Sequence, residues 1–245
     1  MRTYRADLHV HTVLSPCAEV EMIPPLIVEE ALERGISLIA VTDHNASANI
    51  EAVQIAAKGT DLHVLPGMEL QTREDIHALC LFDTLEQISG LQAEVDRTLP
   101  DIKNQPEHFG EQFIVDMFGD FMRREERLLI TSSSLSINEA FDLVTSLGGL
   151  FIPAHINRKT FGLIESLGFI PPGIPFPAVE ISRHLLYTEA RAKLPGVGSL
   201  PIIQNGDVHR LSDFLGSLHL QIASTSIAEI RLALRGLDGR DYSVV

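Results

Sequence analysis

Short apolar runs in this chain keep ending in a histidine or a carboxylate, and that recurrence limits the folds open to it. The first is Ala6-Asp7-Leu8-His9-Val10-His11-Thr12. Successive side chains on a strand point to opposite faces, so His9 and His11 share a face two residues apart. Two imidazoles side by side at a strand's end can grip one metal ion. Alone, the pair reads equally well as two half-exposed histidines on an amphipathic strand. Five later runs add to it. The run 37–42 leads into Asp43-His44, 62–66 into Gly67-Met68-Glu69, 150–154 meets His155, 201–204 leads to Asp207 and His209, and 75–82 carries His77 within it.

Helical segments separate most of these runs. Pro24 and Pro25 open one that Gly35 stops, and 48–58 precedes Gly59. Residues 85–99 are amphipathic, Ser136-Ile137-Asn138-Glu139 is a capping box for a helix to Leu147, and 226–234 closes the chain. Residues 178–181 read as a strand leading to Arg183, and 217–222 as an edge strand. Continuously apolar strands alternating with helices predict an α/β fold with a parallel sheet. An open sheet would spread the polar exits too widely to share a small metal cluster. A ring gathers them at one mouth, which favours a barrel. Residues 100–127 break the rhythm with Pro106, Gly110 and a hairpin around Phe118-Gly119-Asp120. They read as an insertion between the fourth and fifth strands, a lid or dimer arm.

The chain's 245 residues, 45% hydrophobic, suffice for one large domain or two small ones. A net charge of −14 disfavours extended nucleic-acid binding, while leaving room for a small phosphate ester drawn to bound cations. The absence of Trp, with only three Tyr, offers no aromatic track for a strand. No apolar run reaches membrane-spanning length, and the first strand begins too early for a signal peptide. Cys17 and Cys80 do not make a disulfide framework, so a cytoplasmic location is expected.

Taken in series, Asp7-x-His9-x-His11, Thr42-Asp43-His44, Gly67-x-Glu69, His77, Pro153-Ala154-His155 and Asp207-x-His209 resemble the polymerase-and-histidinol-phosphatase (PHP) superfamily. The resemblance covers nearly the whole chain in the family's order. It implies a distorted seven-stranded (β/α) TIM-like barrel, one PHP domain over 1–245 with the insertion at about 100–132. It also implies two or three divalent ions (Mn, Fe or Zn) used to hydrolyse phosphate esters. Position by position, His9, His11, Glu69 and Asp207 would hold one ion. Glu69 would bridge to a second, completed by His77 and His155, and His44 and His209 would hold a third. Cys17 stands where the family often has His or Asp. A thiolate there favours softer zinc or iron, and an unligated thiol leaves the third site weak or empty.

The implied function is a metal-dependent phosphoesterase acting on a small phosphorylated metabolite or nucleotide. Metal-bound hydroxide would attack phosphorus in line, with the pKa of water lowered from about 15.7 toward about 7. The candidate catalytic groups are His44 or His209, protonating the leaving oxygen where not ligands, and Asp43, orienting a neighbouring ligand. Arg158 and Arg183 are candidates to clamp phosphate oxygens through paired N–H donors. The alternatives are a nuclease or phosphodiesterase on short oligonucleotides and a non-catalytic metal-binding regulatory module. His63, His108, His219 and Cys80 read as structural, and Asn205-Gly206 as a turn that lets Asp207 face inward.

Overall fold

The computed structural model describes residues 1–245. The chain opens with β1 (Arg2–Val10), α1 (Pro24–Glu33), β2 (Leu38–Val41), α2 (Ile50–Ala56), β3 (His63–Gln71) and β4 (His77–Leu81). α3 (Leu85–Thr98) and a short α4 (Pro106–Phe109) lead to a hairpin of β5 (Phe113–Val115) and β6 (Phe121–Arg124). α5 (Ile137–Ser146), β7 (Leu150–Pro153), α6 (Leu163–Leu167), β8 (Val179–Ile181), α7 (Tyr187–Lys193) and β9 (Ile202–Gln204) follow. β10 (Leu218–Ile222), α8 (Ile227–Leu234) and β11 (Asp241–Val244) complete it. The expected capping box of Ser136 with Glu139 starts α5, and a second, Thr84 with Gln87, starts α3.

The main sheet has seven strands in the order β11-β10-β1-β2-β3-β4-β7. β8 and β9 form a separate parallel pair that meets both ends of the ligand-bearing strands. Ile156 N–H, just after β7, donates to the Glu180 carbonyl at 2.9 Å. On the other side, Val208 and His9 to His11 exchange backbone bonds at 2.9 Å. The sheet is therefore curled, and the strands that carry polar exits come round toward one another. Helices α1, α2, α3 and α5 cover its outer face through a cluster of 44 buried residues. A second cluster of 20, including Leu8, Ala40, Leu79, Ile152 and Ile203, lies on the concave side and takes in Ile227, Ile230 and Leu234 of α8.

Three features depart from the sequence reading. β4 runs antiparallel to both β3 and β7, so strict alternation of parallel strands with helices is not seen. The connection from Gln71 to His77 is too short for a crossover helix and permits only an antiparallel return. β10 is not an edge, because β11 pairs outside it. The hairpin expected near Phe118 is present, but β5 is tied down: Asn49 receives Val115 N–H at 3.0 Å and donates to the Phe113 carbonyl at 3.0 Å.

One irregularity sets the site. The β1–β2 register shifts between Asp7 and Val10. As a result Ala6 and Leu8 belong to the inner cluster while Val10 belongs to the outer one. A bulge of this kind re-aims the side chains that follow it, here turning His9 and His11 to the concave side.

Candidate metal centre

Glu69 is the hub. It ends the inward run of β3, is 1% exposed, and has five histidines around its carboxylate. His44 Nδ1 lies 2.9 Å, His77 Nδ1 3.0 Å, His155 Nε2 2.9 Å, His9 Nε2 3.2 Å and His11 Nε2 3.4 Å from a Glu69 oxygen. Asp207 Oδ1 is the second focus, 3.4 Å from His9 Nε2, 3.5 Å from His11 Nε2 and 3.3 Å from His209 Nδ1. Residues separated by up to 200 positions in sequence thus converge at one mouth. Three overlapping triads are compact enough to hold an ion: His9-His11-Glu69, His44-Glu69-His77 and His11-His44-His209.

The donor set fits divalent ions. Ligand atoms about 2.1 Å from one ion, at tetrahedral or octahedral angles, lie about 3.0–3.4 Å apart, which is the spacing found here. Buried polar atoms ordinarily find hydrogen-bond partners. In this cluster His9 Nε2, His11 Nε2, His44 Nδ1, Glu69 Oε2, His77 Nε2, His155 Nδ1 and Asp207 Oδ1 have none. His9 Nε2, His11 Nε2, His44 Nδ1 and Asp207 Oδ1 aim lone pairs at the space beside Glu69, as chelating atoms do, while His77 and His155 turn their other nitrogens, Nδ1 and Nε2, to the Glu69 carboxylate.

Charge is coupled throughout. Burial alone would lift the Glu69 carboxyl, but His77, His9 and His44, with the bond from His155, hold it well below the usual carboxylate range. Burial opposes a charge on His9, yet Glu180, Glu69 and Asp207 outweigh it and hold its pKa well above the ordinary value. For His77 burial wins over Glu69, and its pKa falls to about 4.

The backs of the imidazoles are held as well. His9 Nδ1–H faces both oxygens of Glu180 at 3.1–3.2 Å. Glu180 also receives His155 N–H at 2.9 Å and Asn205 Nδ2–H at 2.8 Å. His11 Nδ1–H donates to Ser15 Oγ at 2.9 Å, and Ser15 donates to Asp43 at 2.7 Å. Such partners fix the tautomer and leave Nε2 free. Asp43, placed among the candidate catalytic groups from the sequence, is fully buried with its oxygens taken by Thr12 and Ser15. It acts on His11 through Ser15 and does not face the mouth. Asp7 likewise turns away, accepting N–H bonds from Gly206 and Leu215 at 2.9–3.2 Å.

Backbone strain concentrates where side chains must point in. His155 has φ +28° and Asp207 has φ +50°, conformations that surroundings must impose on such residues. The turn before Asp207, at Asn205-Gly206, leaves the Asp207 side chain facing the cluster. Gly206 is needed for closeness, since a Cβ there would sit 2.5 Å from the Asp213 carbonyl oxygen.

At the rim, the Cys17 residue is exposed while its thiol turns in toward His44 and His209. Burial raises that thiol, but the charge and hydrogen bonds of the two imidazoles outweigh it and bring it to about 6. Arg158 reaches Asp207 Oδ2 at 2.7 Å, and Arg183 pairs with Asp213 at 2.8 Å. Both arginines line a hollow of about 420 Å³ with Ser182, His184, Asp207 and Asp213. All the residues singled out as ligands or phosphate clamps therefore lie at one mouth. Glu180, Ser15 and Asn205 were not foreseen. Glu180 had a signal, a lone carboxylate inside the apolar run 178–181.

The family model described as "PHP domain" matches residues 7–146. Among curated proteins, the 5'-3' exoribonuclease Rnm of Salmonella typhimurium is 33% identical over 75 residues, 30% of this chain and 25% of that enzyme. The Bacillus subtilis protein YqxK, described as uncharacterized, is 23% identical over 272 residues, 98% of this chain and 64% of its own length. Among solved structures, the lesion-specific endonuclease PfuEndoQ from Pyrococcus furiosus superposes with a TM-score of 0.76 at 19% identity, over 98% of this chain and 58% of that one. An Endonuclease Q complex with a 27-mer duplex substrate gives the same TM-score at 18% identity, with the same coverage of both chains. The chain thus spans about a quarter of the exoribonuclease's length and less than two thirds of the other relatives'.

These findings overturn one expectation. Acidity pointed to a small phosphorylated substrate and away from nucleic acid, whereas the named relatives are an exoribonuclease and an endonuclease. Net charge averages over the whole surface, while a phosphodiester responds to the cationic groups beside the scissile bond. No helix is long and apolar enough to cross a membrane.

Proposed function

The chain belongs to the PHP domain family, and on that premise we propose that it is a metal-dependent hydrolase cutting phosphodiester bonds of nucleic acid. Single-stranded RNA is the first substrate to test, because the exoribonuclease relatives are matched in sequence at about a third identity. The reading takes 1–245 as one PHP domain, a distorted barrel in which 100–132 is the insertion.

His9, His11, Glu69 and Asp207 would hold one divalent ion. Glu69, His77 and His155 would hold a second, and His44 and His209 with Cys17 a third. The mixed imidazole, carboxylate and thiolate donors suit manganese, iron or zinc. Bound there, the ions supply charge neutralisation of the phosphate and a nucleophile available near neutral pH. The chain's own groups do the rest. Arg158 and Arg183, which line the hollow, would present N–H donors to non-bridging phosphate oxygens. Glu180 and the Ser15–Asp43 pair keep His9 and His11 in one tautomer. His209 is the histidine of the cluster with the most exposed side chain, at 20%. Burial lowers its pKa, but Cys17 and Asp207 beside it raise it overall, which suits it to protonate the leaving oxygen when it is not a ligand.

The observation that carries this reading is the convergence of unpartnered buried donors on Glu69. The test is end-labelled single-stranded RNA and DNA oligonucleotides, compared with nitrophenyl phosphate, with manganese, iron(II) or zinc added. Oligonucleotide cleavage with at least one ion, abolished by a chelator, is expected. Turnover of the small monoester with every oligonucleotide left intact would refute it.

A further inference from the structure

Phe161 is the only large apolar residue among the non-glycine positions with positive φ, at +61°. A bulky side chain adopts that conformation only when its surroundings impose it. Here the turn 158–162 does so. A Cβ on Gly162 would fall 2.2 Å from the Arg158 carbonyl oxygen, so the turn closes as tightly as a backbone can. The Phe161 carbonyl accepts His77 N–H at 3.1 Å. The ring lies on the His77 imidazole, 4.4 Å between centroids and 3° from parallel.

Core packing does not account for the ring. Phe161 belongs to neither buried apolar cluster and is not among the side chains packed against them. It is partly exposed. Three residues earlier on the same turn, Arg158 reaches Asp207 in the cluster. One turn thus presents a cation suited to phosphate and a flat apolar surface suited to a base. Stacking on aromatic side chains accepts any base, because every base has a π-face.

We propose that Phe161 is the platform on which the base adjoining the scissile phosphate stacks. This rests on the nucleic-acid reading and gives that substrate its first base contact. The experiment compares wild type, Phe161→Ala and Phe161→Trp on two oligonucleotides, one intact and one with an abasic residue beside the cleavage site. Ions per chain are counted in each protein.

In wild type, KM should rise about 10-fold when the base is removed. Phe161→Ala should show that rise on the intact oligonucleotide and no further rise on the abasic one. Phe161→Trp should restore discrimination, and ion content should stay the same in all three. An equal loss on both oligonucleotides, or ion loss in Phe161→Ala, would overturn the proposal and leave the ring as a buttress of His77. Wild type that cleaves the intact oligonucleotide but does not distinguish the abasic one would overturn it while sparing the nuclease reading. Failure of wild type to cleave either would remove both.

Discussion

Replacing Glu69 by Gln keeps the shape of the hub and removes its charge. Five histidine nitrogens lie 2.9–3.4 Å from the Glu69 oxygens, and that carboxylate is shared by both principal ion sites proposed for the cluster. An ion present at 100 times its Kd stabilises the folded chain by about 2.7 kcal/mol. For a chain of this size, 1 kcal/mol moves Tm by about 2–4 °C. Wild type should therefore gain about 5–10 °C on saturation with its preferred ion. Glu69→Gln should lose nearly all of that gain while its far-ultraviolet circular dichroism stays unchanged. Charge stabilisation by such ions is worth several kcal/mol in the transition state, and each 1.36 kcal/mol is tenfold in rate, so kcat should fall by about 10³ or more. The assays are differential scanning fluorimetry with and without ion, and oligonucleotide cleavage. A variant that keeps the thermal gain and cleaves at nearly the wild-type rate would refute the placement of Glu69 at the centre.

Ser15→Ala should weaken ion affinity by about 10–100-fold, measured by competition with a chromogenic chelator, because His11 Nδ1 loses the partner that fixes its tautomer. Cys17→Ser should abolish the thiolate-to-cobalt charge-transfer band in the near ultraviolet of the cobalt-loaded protein. If wild type shows no such band, Cys17 is not a ligand. Arg158→Ala should raise KM for an oligonucleotide by roughly 10-fold or more, the value of a lost charged hydrogen bond, with ion content unchanged. An unaltered KM would remove Arg158 from the phosphate clamp.

Much of the site was legible because its donors punctuate apolar runs. His9, His44, Glu69, His155 and Asp207 each follow a strand signal, and a curled sheet brings strand ends together. Glycine stops likewise marked α1 and α2, and a capping box marked α5. What escaped notice depends on partners distant in sequence. An apolar run such as 77–81 reads the same in a parallel or an antiparallel ladder, and only the short connection before it decides. The bond from Ser15 to Asp43 joins positions 28 apart, and nothing local to either announces it. Phe161 takes its positive φ from the tightness of the turn against Arg158, which Thr160-Phe161-Gly162 alone does not reveal. β11 is a terminal strand of four residues, and its alternation of exposed and half-buried positions is too short a run to stand out in the sequence. Overall acidity, which pointed away from nucleic acid, says little about the field at one mouth.

The central claim is that one mouth of this chain chelates several divalent ions. Elemental analysis counts them directly, on protein stripped with a chelator, reloaded separately with manganese, iron(II) or zinc, and freed of excess ion. Two or three equivalents per chain with at least one of these metals, reduced by Glu69→Gln, is the result predicted. No ion above background under any loading would contradict it.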